Sequence, residues 1–184
     1  MEKEFEDILE NAISHGICVS NLAYAIGKEM ELEEEICYEL AMAGLLHDIG
    51  KIRLAAFLYD HDENRTHVEK MAYTRMHSQL SYDIVKEKKF SEFVQESVLY
   101  HHENYDGSGY PGNLKGEEIP IGARILRVCD VFGALISDRY YRKAFPPETA
   151  LELMIDEVTN FDMKIFLAFQ RVINTHDIEK LMGI

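Results

Sequence analysis

Residues 120–135, Pro120-Ile121-Gly122-Ala123-Arg124-Ile125-Leu126-Arg127-Val128-Cys129-Asp130-Val131-Phe132-Gly133-Ala134-Leu135, carry the pattern that decides the fold class. Ile121, Ile125, Val128, Phe132 and Leu135 recur at alternating intervals of four and three, which puts them on one face of an α-helix. Pro120 suits the first turn of that helix, where a missing N–H costs nothing. The same period spreads outward in both directions. Towards the N-terminus, Phe5, Ile8, Leu9, Ala12 and Ile13 form one stripe, and Cys18, Leu22 and Ile26 another after His15 and Gly16. Ile36, Leu40, Ala43 and Leu46 or His47 form a third, with Gly50 in the C-terminal capping position. A polar segment from Tyr59 to Thr66 reads as loop, followed by a helix through His77, Leu80, Ile84 and Val85. Ser91 is a natural N-cap for Phe93, Val94, Val98 and Leu99.

The one long irregular stretch runs from Glu103 to Ile119, rich in glycine and broken by Pro111. Loops of that length in compact domains commonly carry function. Beyond residue 135 two shorter helices, around 148–158 and 163–175, complete the chain. No stretch alternates with strand period, and no repeat or low-complexity linker interrupts. The expectation is an all-α single domain over 1–184: a leading helix at 1–14, a core at 15–169 and a C-terminal helix at 170–184.

Composition bounds the function. The 184 residues carry a formal charge of −14, a poor background for binding duplex nucleic acid. An anionic substrate needs a locally positive pocket, supplied by metals and a few basic side chains. The opening segment is acidic and amphipathic rather than a leader, and no apolar run has the length to span a membrane. Cys18, Cys37 and Cys129 are far apart among apolar residues, which predicts buried, reduced thiols and a cytoplasmic location.

Seven residues form a set that carries chemistry: His15, His47, Asp48, His77, His101, His102 and Asp130. Imidazole and carboxylate together suit Fe, Mn or Zn, and a carboxylate can bridge two metals with its two oxygens. Such a pair generates a hydroxide nucleophile near neutral pH and stabilises charge on phosphoryl oxygens. His61, His67 and His176 stand apart from any motif and read as surface residues, and Asp106 reads as a turn former.

The phrases LLHDIGKI, HHENYDGSGYPGNLKGEEIPIGARIL and VCDVFGALISDRYYRKA resemble the HD-GYP domains of the HD superfamily of metal-dependent phosphohydrolases, from about His15 to Phe169 and in family order. The resemblance implies an HD-type helical bundle with a Gly-rich GYP loop. It also implies hydrolysis of cyclic di-GMP to pGpG and on to GMP at two or three metals, Fe or Mn foremost, with Zn or Ni acquired on purification. It makes His15, on a second helix, a metal ligand together with His47, Asp48, His77, His101, His102 and Asp130, with Asp48 bridging. One ion would take His15, His47, Asp48 and Asp130, the other Asp48, His77, His101 and His102. Asp48 and Lys51 become the catalytic pair, with Lys51 beside the scissile phosphate. Gly109, Tyr110 and Pro111 shape the substrate pocket, and Arg139 and Arg142 contact substrate. Two positions depart from the pattern. Asn11 replaces a glutamate that helps hold a third metal, which favours two ions, and Gly133 replaces a second aspartate. A non-hydrolysing nucleotide- or protein-binding module, another nucleotide phosphohydrolase and a di-iron oxygenase stay open as alternatives. So do a separate regulatory protein and a second copy of the chain as partners.

Overall fold

The computed structural model describes residues 2–59, 75–138 and 142–182, with side chains described from residue 9 to 54, 75 to 138 and 142 to 181. The described elements are helical: α1 (Glu2–Glu29), α2 (Glu34–Leu46), α3 (Ile49–Tyr59), α4 (His77–Glu87), α5 (Glu92–Leu99), α6 (Ile121–Leu135), α7 (Pro147–Asp156), α8 (Met163–Thr175) and α9 (Ile178–Met182). Short 3-10 turns lie at Gly116–Glu118 and Val158–Asn160. The all-α expectation holds among the described residues.

The helix of the opening stretch is the axis of the bundle. Ile125, Val128 and Phe132 are buried as the period requires, and so are Ala123, Leu126, Cys129 and Gly133 on its other sides. α6 is therefore enclosed nearly all round, by α1, α2, α5, α7 and α8. Pro120 stands at the N-cap with ψ 140°, one residue ahead of the first turn where the sequence placed it. Ser91 caps α5 as expected, its hydroxyl accepting the Val94 N–H at 3.2 Å.

Three expectations are corrected. α1 does not break near residue 14: it is one helix of 28 residues, and His15 lies inside it rather than on a second helix. Gly16 is accommodated within α1, where an added Cβ would come within 2.9 Å of the Leu45 carbonyl oxygen. The C-terminal helix is two pieces, α8 and α9, separated at His176 and Asp177. Gly50 caps nothing, because α2 ends at Leu46 and Gly50 is the second residue of α3. Its role is close approach: a Cβ there would stand 2.3 Å from the His77 carbonyl oxygen and 2.8 Å from the Ser81 nitrogen. The polar segment expected as loop lies, beyond Tyr59, outside the described residues.

Two tight turns set the hairpins. At the end of α1, Leu32 N–H reaches Gly27 O and Glu31 N–H reaches Lys28 O, a Schellman closure with Glu31 at φ 56°. The same closure ends α4, with Phe90 bonded to Val85, Lys89 to Lys86, and Lys89 at φ 60°. α1 and α2 then press together at Gly44, whose missing side chain leaves the Ser20 backbone room that a Cβ would fill at 2.9 Å. That contact brings His15 of α1 level with the α2–α3 junction. No helix among the described residues is long and apolar enough to cross a membrane. All three cysteines are buried and unpaired.

Candidate metal centre

Five segments deliver the seven residues to one point. His15 comes from the middle of α1, and His47 and Asp48 from the two-residue junction between α2 and α3. His77 opens α4, His101 and His102 follow α5, and Asp130 lies in the middle of α6. His47, His77 and His101 are almost wholly buried, and Asp48 and Asp130 nearly so.

Asp48 faces two ways. Its Oδ2 lies 3.3 Å from His47 Nε2 and 4.0 Å from His15 Nε2, while its Oδ1 lies 3.2 Å from His77 Nε2 and 3.9 Å from His101 Nε2. Asp130 Oδ1 closes the first group, 3.0 Å from His15 Nε2 and 3.7 Å from His47 Nε2. In the second group His77 Nε2 stands 3.3 Å from His101 Nε2 and 3.0 Å from His102 Nε2. Each group of four offers ligand atoms that all fall within 4.8 Å of one another.

The donor set fits divalent cations. His47 Nδ1–H donates to the Gly44 carbonyl at 2.7 Å and His101 Nδ1–H to the Val98 carbonyl at 2.6 Å, which leaves each Nε2 as the inward-facing atom. His47 Nε2 and Asp48 Oδ1, one in each group, are buried without a hydrogen-bond partner among the described residues, a costly state that cations held by the two groups would relieve. Electrostatics agree. Burial alone would raise both carboxyls, but His47 and Lys51 hold Asp48 well below the usual carboxylate range, and His15 and His47 do the same for Asp130. Burial drives His101 well below its ordinary value and His102 down to about 3, keeping both neutral as ligands must be. Burial also opposes charge on His47, yet Asp48 and Asp130 overcome it and pull its pKa up to about 10. The pull of these two buried carboxylates marks where external positive charge would sit.

A glycine-rich loop leads from the cluster to the protein surface. Gly109 admits no side chain, because a Cβ would fall 2.3 Å from Asn104 N and 2.5 Å from His102 O. Tyr110, next along, stacks its ring on His102 with centroids 4.8 Å apart, and Arg75 lies 5.2 Å from the same ring. The peptide bond to Pro111 is cis. Asp106 accepts the Ser108 N–H at 2.9 Å, the turn-forming role expected of it. A cleft of about 430 Å³ opens here, lined by Lys51, His77, His102, Tyr110, Arg127 and Asp130 among others. Lys51 Nζ lies 2.5 Å from Asp48 Oδ2. A larger cleft of about 650 Å³ between α1, α2 and α9 holds none of the seven residues.

A family model for the HD domain matches residues 1–165. The chain belongs to the HD-domain family. Its HD dipeptide at His47-Asp48 and its Gly109-Tyr110-Pro111 loop make it an HD-GYP domain. It is 32% identical over 174 residues to a cyclic di-GMP phosphodiesterase of Pseudomonas aeruginosa, covering 94% of this chain and 42% of that protein. It is 30% identical over 150 residues to a 3'3'-cGAMP-specific phosphodiesterase of Vibrio cholerae, covering 81% of this chain and 32% of that one. An HD-GYP-type protein of Bdellovibrio bacteriovorus shares the fold with a TM-score of 0.69 at 21% identity, over 89% of this chain and 52% of the other. The chain spans less than half the length of these curated relatives.

Arg142 is engaged in structure. One terminal nitrogen donates to Leu135 O at 3.0 Å and Lys143 O at 2.9 Å, and the other to Ala134 O at 2.8 Å. It thus closes the open carbonyls at the end of α6, although it also borders the cleft. Arg139 lies outside the described residues. Asn11 is exposed one turn before His15, and Gly133 sits against His15, where a Cβ would meet the imidazole at 3.3 Å. His176 is exposed, and His61 and His67 lie outside the described residues. Two residues escaped sequence reasoning. Glu103, almost wholly buried, accepts Gly112 N–H at 2.5 Å and Leu114 N–H at 3.1 Å, and so ties the loop together from within. Arg127 lines the cleft with Nε donating to Asn104 Oδ1 at 2.9 Å. Its position three residues before Asp130, on the same helical face, was the available signal.

Proposed function

We propose that this HD-GYP domain is a cytoplasmic, metal-dependent phosphodiesterase that hydrolyses cyclic di-GMP to pGpG and on to GMP. The observation that carries the reading is Asp48, whose two oxygens face two separate histidine groups. His15, His47, Asp48 and Asp130 would hold one divalent ion, and Asp48, His77, His101 and His102 the other, with Fe or Mn suited to this mixture of donors. When bound, such a pair supplies the charge that makes water nucleophilic near neutral pH and steadies the phosphoryl oxygens.

The chain's own residues do the rest. Asp48 holds the two groups at fixed separation, and the Gly44 and Val98 carbonyls orient the rings of His47 and His101. Lys51, at the cleft edge of Asp48, sets a positive charge where the scissile phosphate's negative charge arrives. Tyr110, stacked on His102 with Arg75 over its ring, shapes the side of the substrate pocket. A second reading, 3'3'-cGAMP as substrate, draws on the Vibrio cholerae relative of that specificity.

The test is turnover of cyclic di-GMP and 3'3'-cGAMP, followed by chromatography on protein loaded with Fe(II) or Mn(II) without oxygen. Product that disappears with chelator is expected, and Asp48→Ala is expected to lose bound metal and turnover together. Turnover retained by Asp48→Ala would overturn the site, and binding without turnover would point to a signalling module.

A further inference from the structure

The cleft floor is one face of α6, where Arg127, Asp130, Val131, Ala134 and Leu135 line it in succession. The centre of that strip is Asp130, whose carboxylate belongs to the metal cluster. Arg127 stands one turn towards the N-terminus, about 4.5 Å along the helix axis. Arg142 lies at the opposite end of the strip with its terminal nitrogens bonded to helix carbonyls and its guanidinium 4.4 Å from the Phe145 ring.

Arg127 is held differently. Its Nε donates to Asn104 Oδ1, Asn104 Nδ2 donates to Ser108 Oγ at 2.9 Å, and Ser108 is fixed in turn by Asp106. That relay fixes the direction of the guanidinium from the loop side. The two terminal nitrogens of Arg127 make no hydrogen bond or ion pair among the described residues. Arg124, one turn earlier, shows the contrasting arrangement of a structural arginine, which meets Asp162 at 2.6 Å. A planar fork, oriented by its Nε and left open towards a cleft in a chain of charge −14, is built for an incoming anion.

Resting on the proposed function, the geometry points to the anion. A cyclic dinucleotide carries two phosphodiesters, and only one can lie at the metal cluster. We infer that Arg127 binds the phosphodiester that is not being cut. It thereby acts as a specificity residue that separates two-phosphate ring substrates from simple diesters. The residue forms no part of the metal cluster, and Arg142 cannot substitute for it without uncapping α6.

The experiment compares Arg127→Ala and Arg127→Lys with the unaltered protein on cyclic di-GMP and on bis(p-nitrophenyl) phosphate, a diester with a single phosphate. For cyclic di-GMP, Arg127→Ala is expected to raise KM about 10- to 100-fold with kcat little changed, since a charged fork is lost from binding. Arg127→Lys, which keeps the charge without the fork, should recover part of the loss, and kinetics on bis(p-nitrophenyl) phosphate should not change. A parallel fall on both substrates would mean that Arg127 merely braces the loop, and no change on either would mean that it touches nothing. Either result overturns the subsite. Unaltered protein that cleaves bis(p-nitrophenyl) phosphate but no cyclic dinucleotide would instead refute the proposed function, and the subsite with it.

Discussion

Gly50→Ala separates two accounts of one residue by the sign of its effect. As an ordinary helix residue, Gly50 weakens α3, and alanine would stabilise the protein by about 1 kcal/mol. The structure predicts the reverse. The new Cβ would lie 2.3 Å from the His77 carbonyl oxygen and 2.8 Å from Ser81 N, both backbone atoms that no rotamer change can move. Ordinary contact needs at least about 3.4 Å, so α3 and α4 must part by about 1 Å. Overpacking of this kind costs about 3 kcal/mol at its upper range. The bond from Gly50 N–H to Ser81 Oγ, 2.9 Å long, goes with it, at about 1 kcal/mol. Set against the helix gain, the net loss is about 3 kcal/mol, or a fall in Tm of about 6–12 °C for a domain of this size. The displacement also reaches the cluster, because His77 opens α4 and its Nε2 lies 3.2 Å from Asp48 Oδ1. A shift of about 1 Å far exceeds the ~0.2 Å tolerance of a metal site. Thermal unfolding by circular dichroism in chelator measures the first effect, and metal content after dialysis measures the second. An unchanged or higher Tm would refute the close-contact argument.

Other expectations follow from the same geometry. Arg142→Ala should lower stability by about 2 kcal/mol, because carbonyls at the end of α6 lose a charged donor; a variant with native Tm and raised KM would make Arg142 a substrate contact alone. Gly133→Asp should reduce metal content rather than improve turnover, since its Cβ would press on the His15 ring at 3.3 Å; increased turnover with full metal content would contradict this. In chelator, the cluster's histidines should give maximal stability near pH 6.5. His102, depressed to about 3, is a source of stability that is lost as pH falls from 6.5 towards 3. His47, raised to about 10, is a source that is lost as pH climbs from 6.5 towards 10. Denaturant midpoints across that range test the profile, and a flat response would count against it.

What could be read without coordinates was whatever is local or chemical. The helix period of Ile121, Ile125, Val128, Phe132 and Leu135 depends only on side-chain spacing, and the Ser91 cap only on residue type and position. The seven residues of the cluster were recognisable because few other side chains serve as such ligands and because they sit in ordered motifs. Features that need a second segment were misread or missed. Gly50 looked like a cap because a glycine after an apolar run usually is one, and the neighbour that explains it, His77, lies 27 residues on. The family resemblance made Arg142 a substrate contact, and packing adds that it also bonds the carbonyls at the end of α6 while bordering the cleft. Arg127 passed unnoticed because only Asn104, on a separate loop, orients its fork.

The sequence by itself therefore determined the helical class, the seven candidate ligand residues and the loop that adjoins them. Tertiary structure alone decided that His15 and Asp130, 115 residues apart, lie within 3.0 Å, and that the two oxygens of Asp48 serve different histidine groups. The physical reason is that periodicity and caps are properties of a few consecutive residues. Juxtaposition of ligand atoms is set by how closely backbones pass at Gly44 and Gly50, and that distance exists only once the helices are packed.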